Sequence, residues 1–349
     1  MNLQKLETIL QAQNQPKFRA AQIKKAIFRD GISSFAEIST LSKDLREVLT
    51  KEISILSFEV QQVLVSKDGE SMKALLKLQD GNLIEAVLIA PKVGVWSACI
   101  SCQVGCAIGC KFCATGKMGL KRNLTAEEIT DQILFWIQHL RKSKIQNPND
   151  KIQNYDISTI VYMGMGEPLL NWGQVSQSLR DLIDPTLFGF GARSISVSTS
   201  GIPEGIEALA TEFPQVNLAL SLHFADDAKR SESMPINRKN NLEKLKIALQ
   251  NYFLKTKRKV FLEYVMLSDI NDSSEDADKL IRFVKSIGKL QLLHVNLIRY
   301  NSTDSQFKSS SKERTAMFRD YLEKNRIGVT IRKSLGEEIQ GACGQLAGR

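Results

Sequence analysis

Apolar positions along the chain change their spacing near residue 56, which separates a helical segment from a strand-rich one. Before that point, "NLQKLETILQA", "FRAAQIKKAIFRDG" and "SSFAEISTLSKDLREVLTKEI" repeat apolar residues at helical spacing, with Gly31 as a stop signal and Ser or Thr at capping positions. From Phe58 to Ile89, "FEVQQVLVS", "SMKALLKLQ" and "NLIEAVLIA" have strand patterns, separated by the turns "KDGE" and "DGN". The pattern predicts a small helical unit followed by a short antiparallel meander.

After Cys113 the pattern alternates between helix and strand. The segment "TAEEITDQILFWIQHL" predicts an amphipathic helix with Thr125 and Glu128 in a capping box, and the polar stretch "HLRKSKIQNPNDKIQNYDIS" predicts a loop. About six strand patterns follow: "ISTIVYMG", "SISVSTS", "VNLALSLHF", "RKVFLEYVML", "LLHVNLIRY" and "VTIRKS". Repeated β–α units favour a parallel sheet, and six are too few for an eight-stranded barrel. A partial barrel fits better than a doubly wound sheet, although periodicity alone does not separate the two.

The predicted fold class is therefore α/β, a partial (β/α)6 barrel with a small N-terminal helical domain and a short antiparallel β extension. We expect four parts in chain order: a helical accessory domain that binds RNA, the β extension, the barrel and a mobile C-terminal segment, at residues 1–55, 56–92, 93–335 and 336–349. The last segment contains a single cysteine, Cys343, inside the glycine-rich sequence "GACGQLAGR". Glycine would allow such a segment to move.

Net charge and apolar content narrow the functional class. The 349 residues carry a net charge of +9, which predicts a polyanionic partner, most simply nucleic acid; a generally basic surface is the alternative. No run approaches the roughly 20 apolar residues of a membrane span, and the N-terminal residues lack the apolar core of a signal peptide. We therefore expect a cytoplasmic protein without a membrane partner. In that compartment, clustered cysteines bind metals or catalyse reactions more often than they form disulfides.

Five of the six cysteines lie between Cys99 and Cys113. Cys106, Cys110 and Cys113 have the spacing C-x3-C-x2-C, which lets their thiolates converge on one soft metal centre. A structural zinc site requires a fourth Cys or His ligand, and the chain has neither a second paired motif nor clustered histidines. Three thiolates instead predict a [4Fe–4S] cluster with one iron open to a small molecule. A degenerate zinc site in a non-catalytic RNA-binding protein is the alternative from another functional class.

With Phe112 before its third cysteine, this motif resembles that of the radical S-adenosylmethionine (SAM) superfamily. The resemblance implies that SAM binds the open iron and that the reduced cluster cleaves SAM to a 5′-deoxyadenosyl radical. In "MGMGEP", small residues let the backbone approach a ligand, and Glu167 offers an acceptor for the SAM amino group. Strand ends supply further polar groups, because barrel active sites gather at that face. The predicted SAM-binding residues are Gly166, Glu167, Ser198, Ser221, Leu222, His223 and Asn301. A glycine turn and a structural histidine are the alternative readings.

Longer segments resemble the RlmN/Cfr family of radical SAM RNA methyltransferases over nearly the whole chain. They are "CISCQVGCAIGCKFCATGKMGLKRNLTAEEI", "MGMGEPLLN", "ISVSTSGIPEGI", "PQVNLALSLH", "MPINR" and "GACGQLAG". The resemblance implies methylation of adenine at carbon 2, in 23S rRNA at the peptidyl-transferase centre and at adenine 37 of tRNAs, with two SAM molecules per turnover. It implies 23S rRNA and tRNA as partners, and an external electron donor such as flavodoxin or ferredoxin. A carbon-8 enzyme of the Cfr type is the nearest alternative, and we expect a monomer.

The resemblance also assigns roles to residues outside the cluster motif. Cys343 would accept a methyl group from SAM and become the S-methylcysteine intermediate. A radical on that methyl group would add to adenine, Glu85 would accept the ring proton, and Cys99 would attack the Cys343 sulfur to form a disulfide and release the RNA. Glu85 interrupts an apolar strand pattern, which fits a buried base, although an exposed strand glutamate is the alternative.

Two positions depart from the family pattern. Cys102 stands where the family usually has serine, so it is either a spare thiol or a competitor of Cys99. Arg299 stands where many carbon-2 enzymes have proline, which bears on the choice of ring carbon. The basic stretches "KMGLKRN" and "KTKRK" are candidate phosphate contacts, with a solvated helix end as the alternative for the second.

Overall fold

A mixed ten-stranded sheet organises the molecule, and a two-stranded hairpin lies beside it. The computed structural model describes residues 1–92, 94–146, 156–303 and 306–348. The strands are β1 (Phe58–Val65), β2 (Ser71–Leu78), β3 (Leu83–Lys92), β4 (Val95–Cys99), β5 (Gln103–Gly105), β6 (Leu120–Asn123), β7 (Ile157–Tyr162), β8 (Ile195–Thr199), β9 (Asn217–Ser221), β10 (Val260–Met266), β11 (Leu293–Arg299) and β12 (Gly328–Arg332). The large sheet has the order β1-β2-β3-β4-β7-β8-β9-β10-β11-β12, and β5 pairs with β6.

Helices connect the parallel strands and also form the N-terminal unit. They are α1 (Leu3–Ala12), α2 (Phe18–Lys24), α3 (Lys43–Glu52), α4 (Ala114–Lys117), α5 (Ala126–Gln146), α6 (Trp172–Ile183), α7 (Pro203–Glu212), α8 (Asp227–Ser233), α9 (Leu242–Thr256), α10 (Ser274–Ile287) and α11 (Lys312–Lys324). Strand β4 and strands β7 to β12 run parallel, and helices lie in the connections between them. The predicted α/β partial barrel is confirmed. None of the described helices is both long and apolar enough to cross a membrane.

Strand β4 joins the antiparallel and parallel parts of the sheet. It pairs antiparallel with β3 on one side, where Val87 faces Cys99, and parallel with β7 on the other, where Cys99 faces Val161. The meander of β1 to β3 is antiparallel as predicted. Strand β4 was not predicted from the sequence, although it places Cys99 at the carboxyl edge of the sheet.

Helix α5 corrects one prediction. The polar stretch that begins at His139 was expected to be a loop, but the helix continues to Gln146. Residues 147–155 of the stretch lie outside the described residues, and its end belongs to β7, which begins at Ile157. Leu140 is buried, and Arg141 donates hydrogen bonds to the carbonyl oxygen of Gly31 and to Glu37. These contacts with the N-terminal unit hold the polar turns in helical form. The predicted capping box is confirmed, since Thr125 and Glu128 exchange backbone-to-side-chain bonds of 3.0 and 3.2 Å.

The N-terminal helices pack on the barrel helices through a continuous hydrophobic core. The Met1 ammonium lies 2.6 Å from Asp131 on α5, and both groups are buried. Arg29 donates a hydrogen bond to the carbonyl oxygen of Phe188, whose ring lies 4.9 Å from that of Phe28. The helical segment that contains α2 ends at Arg29, as predicted from the stop signal at Gly31, which has a φ of 64°. The unit is therefore attached behind α5 and leaves the carboxyl edge of the parallel strands open.

Candidate active site

The chain leaves the sheet after β4 and forms the β5–β6 hairpin, whose connecting loop holds Cys106, Cys110 and Cys113. Two glycines keep this loop compact. A Cβ on Gly105 would lie 1.8 Å from a carbonyl oxygen across the hairpin, and a Cβ on Gly116 would lie 2.9 Å from backbone atoms of Cys110. The three cysteines border one cavity of about 990 Å³ at the carboxyl ends of the parallel strands. The three cysteines therefore share one cavity, and their binding of one metal centre stays a prediction.

The three thiols suit an iron–sulfur cluster better than a single zinc ion. In the part of the chain that the structure describes, no three Cys, His, Asp or Glu side chains converge closely enough to hold one metal ion. A structural zinc ion needs four such ligands around one point. In a cluster each thiolate binds its own iron, so wider separation is tolerated. The residues therefore fit a three-thiolate cluster with room for a small molecule beside it.

The segment after β7 forms the next wall of the cavity. A Cβ on Gly164 would lie 2.7 Å from backbone atoms of Ile100, and one on Gly166, where φ is 108°, would lie 2.6 Å from the Gln103 side chain. Only glycine fits at these positions, so the backbone itself faces the cavity. Both glycines line the cavity together with the cysteines. The predicted site at Gly166 thus lies beside the cluster motif.

Glu167 follows this turn and is buried. Its carboxylate accepts hydrogen bonds from the backbone N–H groups of Ser200 at 2.7 Å and Leu169 at 3.1 Å. Burial raises the pKa of Glu167, while hydrogen bonds from Ser200 and Thr199 oppose the shift. The carboxylate remains on the cavity wall. It is therefore a fixed acceptor that could bind an ammonium group.

The later strand ends bring further predicted residues to the same cavity. Ser198 and Ser221 line it, with their hydroxyl oxygens 3.4 Å apart. His223 also lines it, and its Nδ1 accepts the backbone N–H of Val265. Burial, followed by the charge of Arg230, lowers the pKa of His223 to about 3. A neutral ring that accepts at Nδ1 carries its proton on Nε2, which is then a donor.

Two predicted SAM contacts sit differently from the others. The Leu222 side chain is buried in the hydrophobic core and does not line the cavity, so only its backbone is near the site. Asn301 lines the cavity but is already engaged: its amide donates to the carbonyl oxygen of Cys343 at 3.2 Å, and its oxygen accepts from Ser334. Asn301 therefore anchors the C-terminal segment in this structure.

Arg230 is a support that sequence reasoning missed. It is fully buried and donates to the carbonyl oxygens of Ser200 at 2.6 Å and Leu222 at 3.1 Å, and to the side chain of Asn237 at 2.8 Å. Burial lowers the pKa of Arg230 to about 10. A buried cation bonded to carbonyls holds the strand ends around the cavity in place. No spacing or motif distinguished it in the sequence.

The C-terminal segment lies against the cysteine loop. Gly344 accepts a hydrogen bond at its carbonyl oxygen from the N–H of Ala114, and the Thr115 hydroxyl donates to the carbonyl oxygen of Leu346 at 2.6 Å. These bonds place the exposed Cys343 on the wall of the large cavity, near Cys113. The structure thus brings together two cysteines that lie far apart in the sequence.

A second cavity of about 850 Å³ adjoins the first, and Cys343 borders both. Cys99 lines this second cavity together with Val87 and Arg332. Desolvation, followed by the proximity of Cys343, raises the pKa of Cys99 to about 12, and the charge of Arg332 opposes the shift. Arg332, which also has an ion pair of 3.6 Å with the buried Glu263, was not singled out from the sequence. Cys99 and Cys343 share one cavity, and their reaction with each other stays a prediction.

Glu85 lies outside both cavity linings, beneath the C-terminal segment. Its side chain is buried, and Oε1 forms an ion pair of 2.7 Å with the Lys73 ammonium. Oε2 accepts the backbone N–H groups of Ala347 at 2.6 Å and Gly348 at 2.9 Å. The alternative of a solvent-facing strand glutamate is therefore wrong. Its ion-pair partner Lys73 was not recognised in the sequence.

Cys102 has a different environment from the other cysteines of the cluster region. It is buried in the core, and its thiol donates to the carbonyl oxygen of Met165 at 3.6 Å. Burial raises its pKa well above the usual value. It lines neither cavity that Cys343 borders. This location does not suit a competitor of Cys99.

The remaining basic candidates are surface groups with partners. Arg299 lines the large cavity, and its guanidinium lies 3.9 Å from Glu337. In "KMGLKRN", Arg122 forms ion pairs with Asp80 and Glu128. In "KTKRK", Lys255 pairs with Glu207. Contact of these residues with RNA stays a prediction.

Known proteins resemble the chain over its full length. It is 42% identical to a protein named ribosomal RNA large subunit methyltransferase Cfr from Lachnoclostridium phytofermentans, with 100% of this chain and 99% of the relative covered. A protein of the same name from Clostridium botulinum, strain Okra, is 41% identical, with 95% and 92% covered. A crystal structure of a radical SAM methyltransferase from Sphaerobacter thermophilus superposes with a TM-score of 0.91 at 38% identity, covering 100% of this chain and 98% of the other.

The arrangement of three cysteines beside a glycine-walled cavity is that of a radical SAM enzyme, and the family model "Radical SAM superfamily" matches residues 100–284. A second model, "Ribosomal RNA large subunit methyltransferase N-terminal domain", matches residues 1–55. Together with the relatives above, these matches show that the chain belongs to the RlmN/Cfr family of radical SAM ribosomal RNA methyltransferases. Membership of the superfamily implies a [4Fe–4S] cluster and SAM.

Proposed function

We propose that this protein methylates carbon 2 of an adenine in 23S rRNA at the peptidyl-transferase centre, and adenine 37 of tRNAs, through an S-methyl group carried by Cys343. The observation that carries the proposal is the position of Cys343 on the wall shared by two cavities. One cavity contains the cluster cysteines and the other contains Cys99. A thiol at this boundary can receive a group on one side and be attacked on the other.

In this proposal the residues of the large cavity hold the cofactors. Cys106, Cys110 and Cys113 bind the [4Fe–4S] cluster, which together with SAM supplies a 5′-deoxyadenosyl radical. Glu167 accepts hydrogen bonds from the SAM amino group, and the backbone at Gly166 lets the methionyl part approach the wall. Four polar groups bind the ribose and carboxylate groups of SAM. They are the hydroxyls of Ser198 and Ser221, the Nε2–H of His223 and the amide of Asn301, and Leu222 contributes its backbone.

The thiol pair performs the transfer and the release. Cys343 attacks the methyl group of one SAM as a thiolate, so that the methyl group is transferred to its sulfur and S-adenosylhomocysteine leaves. A radical derived from a second SAM would then remove a hydrogen atom from that methyl group. After addition to the adenine ring and loss of one electron to a one-electron acceptor, Glu85 takes the ring proton. Cys99 then attacks the Cys343 sulfur, the carbon–sulfur bond breaks, and the released carbon takes up a proton to become the methyl group. A reductant such as flavodoxin or ferredoxin restores the disulfide to two thiols.

Carbon 8 is the second candidate, and two observations favour it. The relatives described above carry the name Cfr, which the sequence analysis associates with carbon-8 methylation. Arg299, which departs from the pattern of many carbon-2 enzymes, lines the cavity where the base would meet Cys343. The segments "GMGEPLLN" and "SVSTSG" favour carbon 2. The ring carbon depends on how the adenine is seated against this wall.

One experiment tests the activity and the ring carbon together. The anaerobically reconstituted protein is incubated with SAM, a reductant and unmethylated 23S rRNA or tRNA, and nucleoside digests are analysed by mass spectrometry against authentic standards. We expect 2-methyladenosine from both RNAs. Finding 8-methyladenosine instead would move the assignment to carbon 8, and finding neither would refute the proposed activity. A digest of tRNA without the product would remove tRNA from the substrates.

Binding of RNA in the cytoplasm also belongs to this proposal. The net charge of +9 and the basic stretch "KMGLKRN" next to the cluster loop support contact with phosphates. The target base must leave its stack to reach the thiol on the cavity wall, so single-stranded or loop RNA is the expected form. We also propose that the chain acts as a monomer.

A further inference from the structure

We infer that Lys73 is a positioning residue for the proton transfer, because it holds the Glu85 carboxylate in place while the C-terminal segment changes its contacts. The inference rests on the proposed function, in which Glu85 accepts the ring proton. Lys73 has no motif around it and lies in the β extension, outside both cavity linings. Its role emerges only from the structure.

Lys73 and Glu85 form a buried ion pair. The Lys73 ammonium lies 2.7 Å from Glu85 Oε1, and the two side chains are 4% and 1% exposed. A buried carboxylate without a compensating charge is costly, and removing one partner of a buried pair leaves the other uncompensated. Lys73 therefore places a positive charge directly beside the buried Glu85 carboxyl group.

The donors that hold Glu85 belong to two different parts of the chain. Two of them, the N–H groups of Ala347 and Gly348, belong to the same segment as the carrier thiol Cys343. Lys73 instead stands on β2, which is hydrogen-bonded to β3, the strand of Glu85. When the segment leaves its docked position to carry a methyl group, its two N–H groups leave with it. The ammonium stays, because both strands are part of one sheet.

Strands β2 and β3 are also aligned with β4, the strand of the thiol Cys99. Lys73 lies opposite Val87 on β3, and Val87 lies opposite Cys99 on β4. Cross-strand partners share one face of a sheet, and residues two apart on a strand point to the same side. Glu85 is two residues from Val87, so Lys73, Glu85 and Cys99 share one face. The base is therefore fixed beside the thiol that releases the product.

The proton transfer can be written with its atoms and electrons balanced. The RNA adduct on Cys343 would first lose one electron to a one-electron acceptor, a role that an oxidised iron–sulfur cluster held by Cys106, Cys110 and Cys113 could fill. The ring carbon–hydrogen bond then breaks, its proton forms an O–H bond on Glu85, and its electron pair restores the aromatic ring. The Glu85 carboxylate becomes neutral in this step. Lys73 holds Glu85 Oε1 in place before the transfer.

The test compares Lys73→Met with the wild type in single-turnover reactions on RNA deuterated at the target ring carbon. We expect the variant to form product at least about tenfold more slowly, because general base catalysis contributes roughly 10²–10⁴-fold. It should also show a larger deuterium isotope effect than the wild type, since breaking the carbon–hydrogen bond becomes the slow step. Methylation of Cys343 by SAM, measured by mass spectrometry of the protein, should proceed at the wild-type rate. A merely structural role would not produce this combination.

Matched variants complete the design. Lys77→Met removes an exposed lysine from the same strand and should leave every rate unchanged. Lys73→Arg keeps the charge and should recover most of the rate. If Lys73→Met does not fold, Lys73→Gln keeps a donor without the charge and carries the same expectation.

The outcomes separate this inference from the proposed function. A Lys73→Met protein with the wild-type rate and isotope effect would overturn the positioning role alone. A wild-type protein that methylates no RNA would overturn the proposed function, and the inference with it. Slow product formation that appears together with slow methylation of Cys343 would show a general defect and overturn the specific role.

Discussion

The Thr115 hydroxyl donates a hydrogen bond to the carbonyl oxygen of Leu346 at 2.6 Å, and this contact ties the helix after the cluster loop to the C-terminal segment. The two residues are 231 positions apart in the sequence. The segment is also held by its bonds to Ala114, Asn301 and Glu85. Few side chains of the segment enter the core, so hydrogen bonds carry much of its attachment.

Thr115→Val should loosen this segment. A lost hydrogen bond of this kind costs about 1 kcal/mol, which corresponds to roughly fivefold more frequent local opening. Hydrogen–deuterium exchange of the peptide that contains Leu346 should become faster, while the β-sheet peptides keep their protection. Thr8→Val, which removes a hydroxyl bonded within α1, is the matched control. Unchanged exchange in Thr115→Val would show that the contact does not hold the segment.

The three cysteines outside the cluster should behave differently when each is replaced by alanine. Cys99→Ala should accumulate a covalent protein–RNA adduct, because the Cys343 sulfur would no longer be attacked by the thiol that shares its cavity. Cys343→Ala should form no adduct, and Cys102→Ala should release product normally because Cys102 is buried away from that cavity. Denaturing gel electrophoresis with labelled RNA measures the adduct. An adduct in Cys102→Ala instead of Cys99→Ala would exchange their roles.

Gly166→Ala should weaken SAM binding. The new Cβ would lie 2.6 Å from the Gln103 side chain at a φ of 108°, and overpacking of this kind costs about 1–3 kcal/mol. We expect about tenfold or greater loss of SAM affinity, measured by calorimetry on the reconstituted protein. Gly173→Ala, in α6 with no atoms near the added Cβ, should bind SAM normally and gain roughly 0.5–1 kcal/mol of stability. Equal SAM affinities would contradict the close approach at Gly166.

His223 should make the protein less stable as the pH falls. In the unfolded chain a histidine takes up its proton near pH 6.5, whereas burial and Arg230 lower the folded pKa to about 3. Between these values the unfolded state binds more protons, so the free energy of unfolding decreases as the pH drops. We expect His223→Asn, which tolerates the positive φ of 57°, to lose less stability than the wild type between pH 6.5 and 4, by about 1–3 kcal/mol.

Urea unfolding of the apoprotein at several pH values measures this effect. His294→Asn is the control, because His294 is less buried and its pKa is lowered less by its surroundings. Parallel stability curves for His223→Asn and the wild type would show that His223 is not held neutral by the fold.

The sequence alone predicted the features that local patterns determine. The cysteine spacing, the "MGMGEP" turn and the alternation of helices and strands all lie within short windows. The error at His139 arose because polar helical turns were stabilised by the distant Gly31 and Glu37. Such contacts depend on tertiary packing, which overrides local preference.

The residues that sequence reasoning missed have the same origin. Lys73 is one lysine among many until β2 is paired with β3 and its side chain meets Glu85. Arg332 likewise could be recognised only in the structure, where β12 places it at the cavity of Cys99 and Cys343. Glu263 offered a usable signal, because it interrupts an apolar strand as Glu85 does.

Strand β4 has an antiparallel neighbour on one side and a parallel neighbour on the other, and this pairing fixes the distances between residues of the three strands. Adjacent strands lie about 4.8 Å apart, so Glu85, Cys99 and the strand that leads to Glu167 are spaced in fixed steps. Cys343, by contrast, reaches these strands from the C-terminal segment, which is not part of the sheet. An insertion within β3 or β4 would change the register of Glu85 against Cys99 along the strands and turn the displaced side chain to the other face of the sheet, whereas length changes after Arg332 would alter only the reach of the carrier.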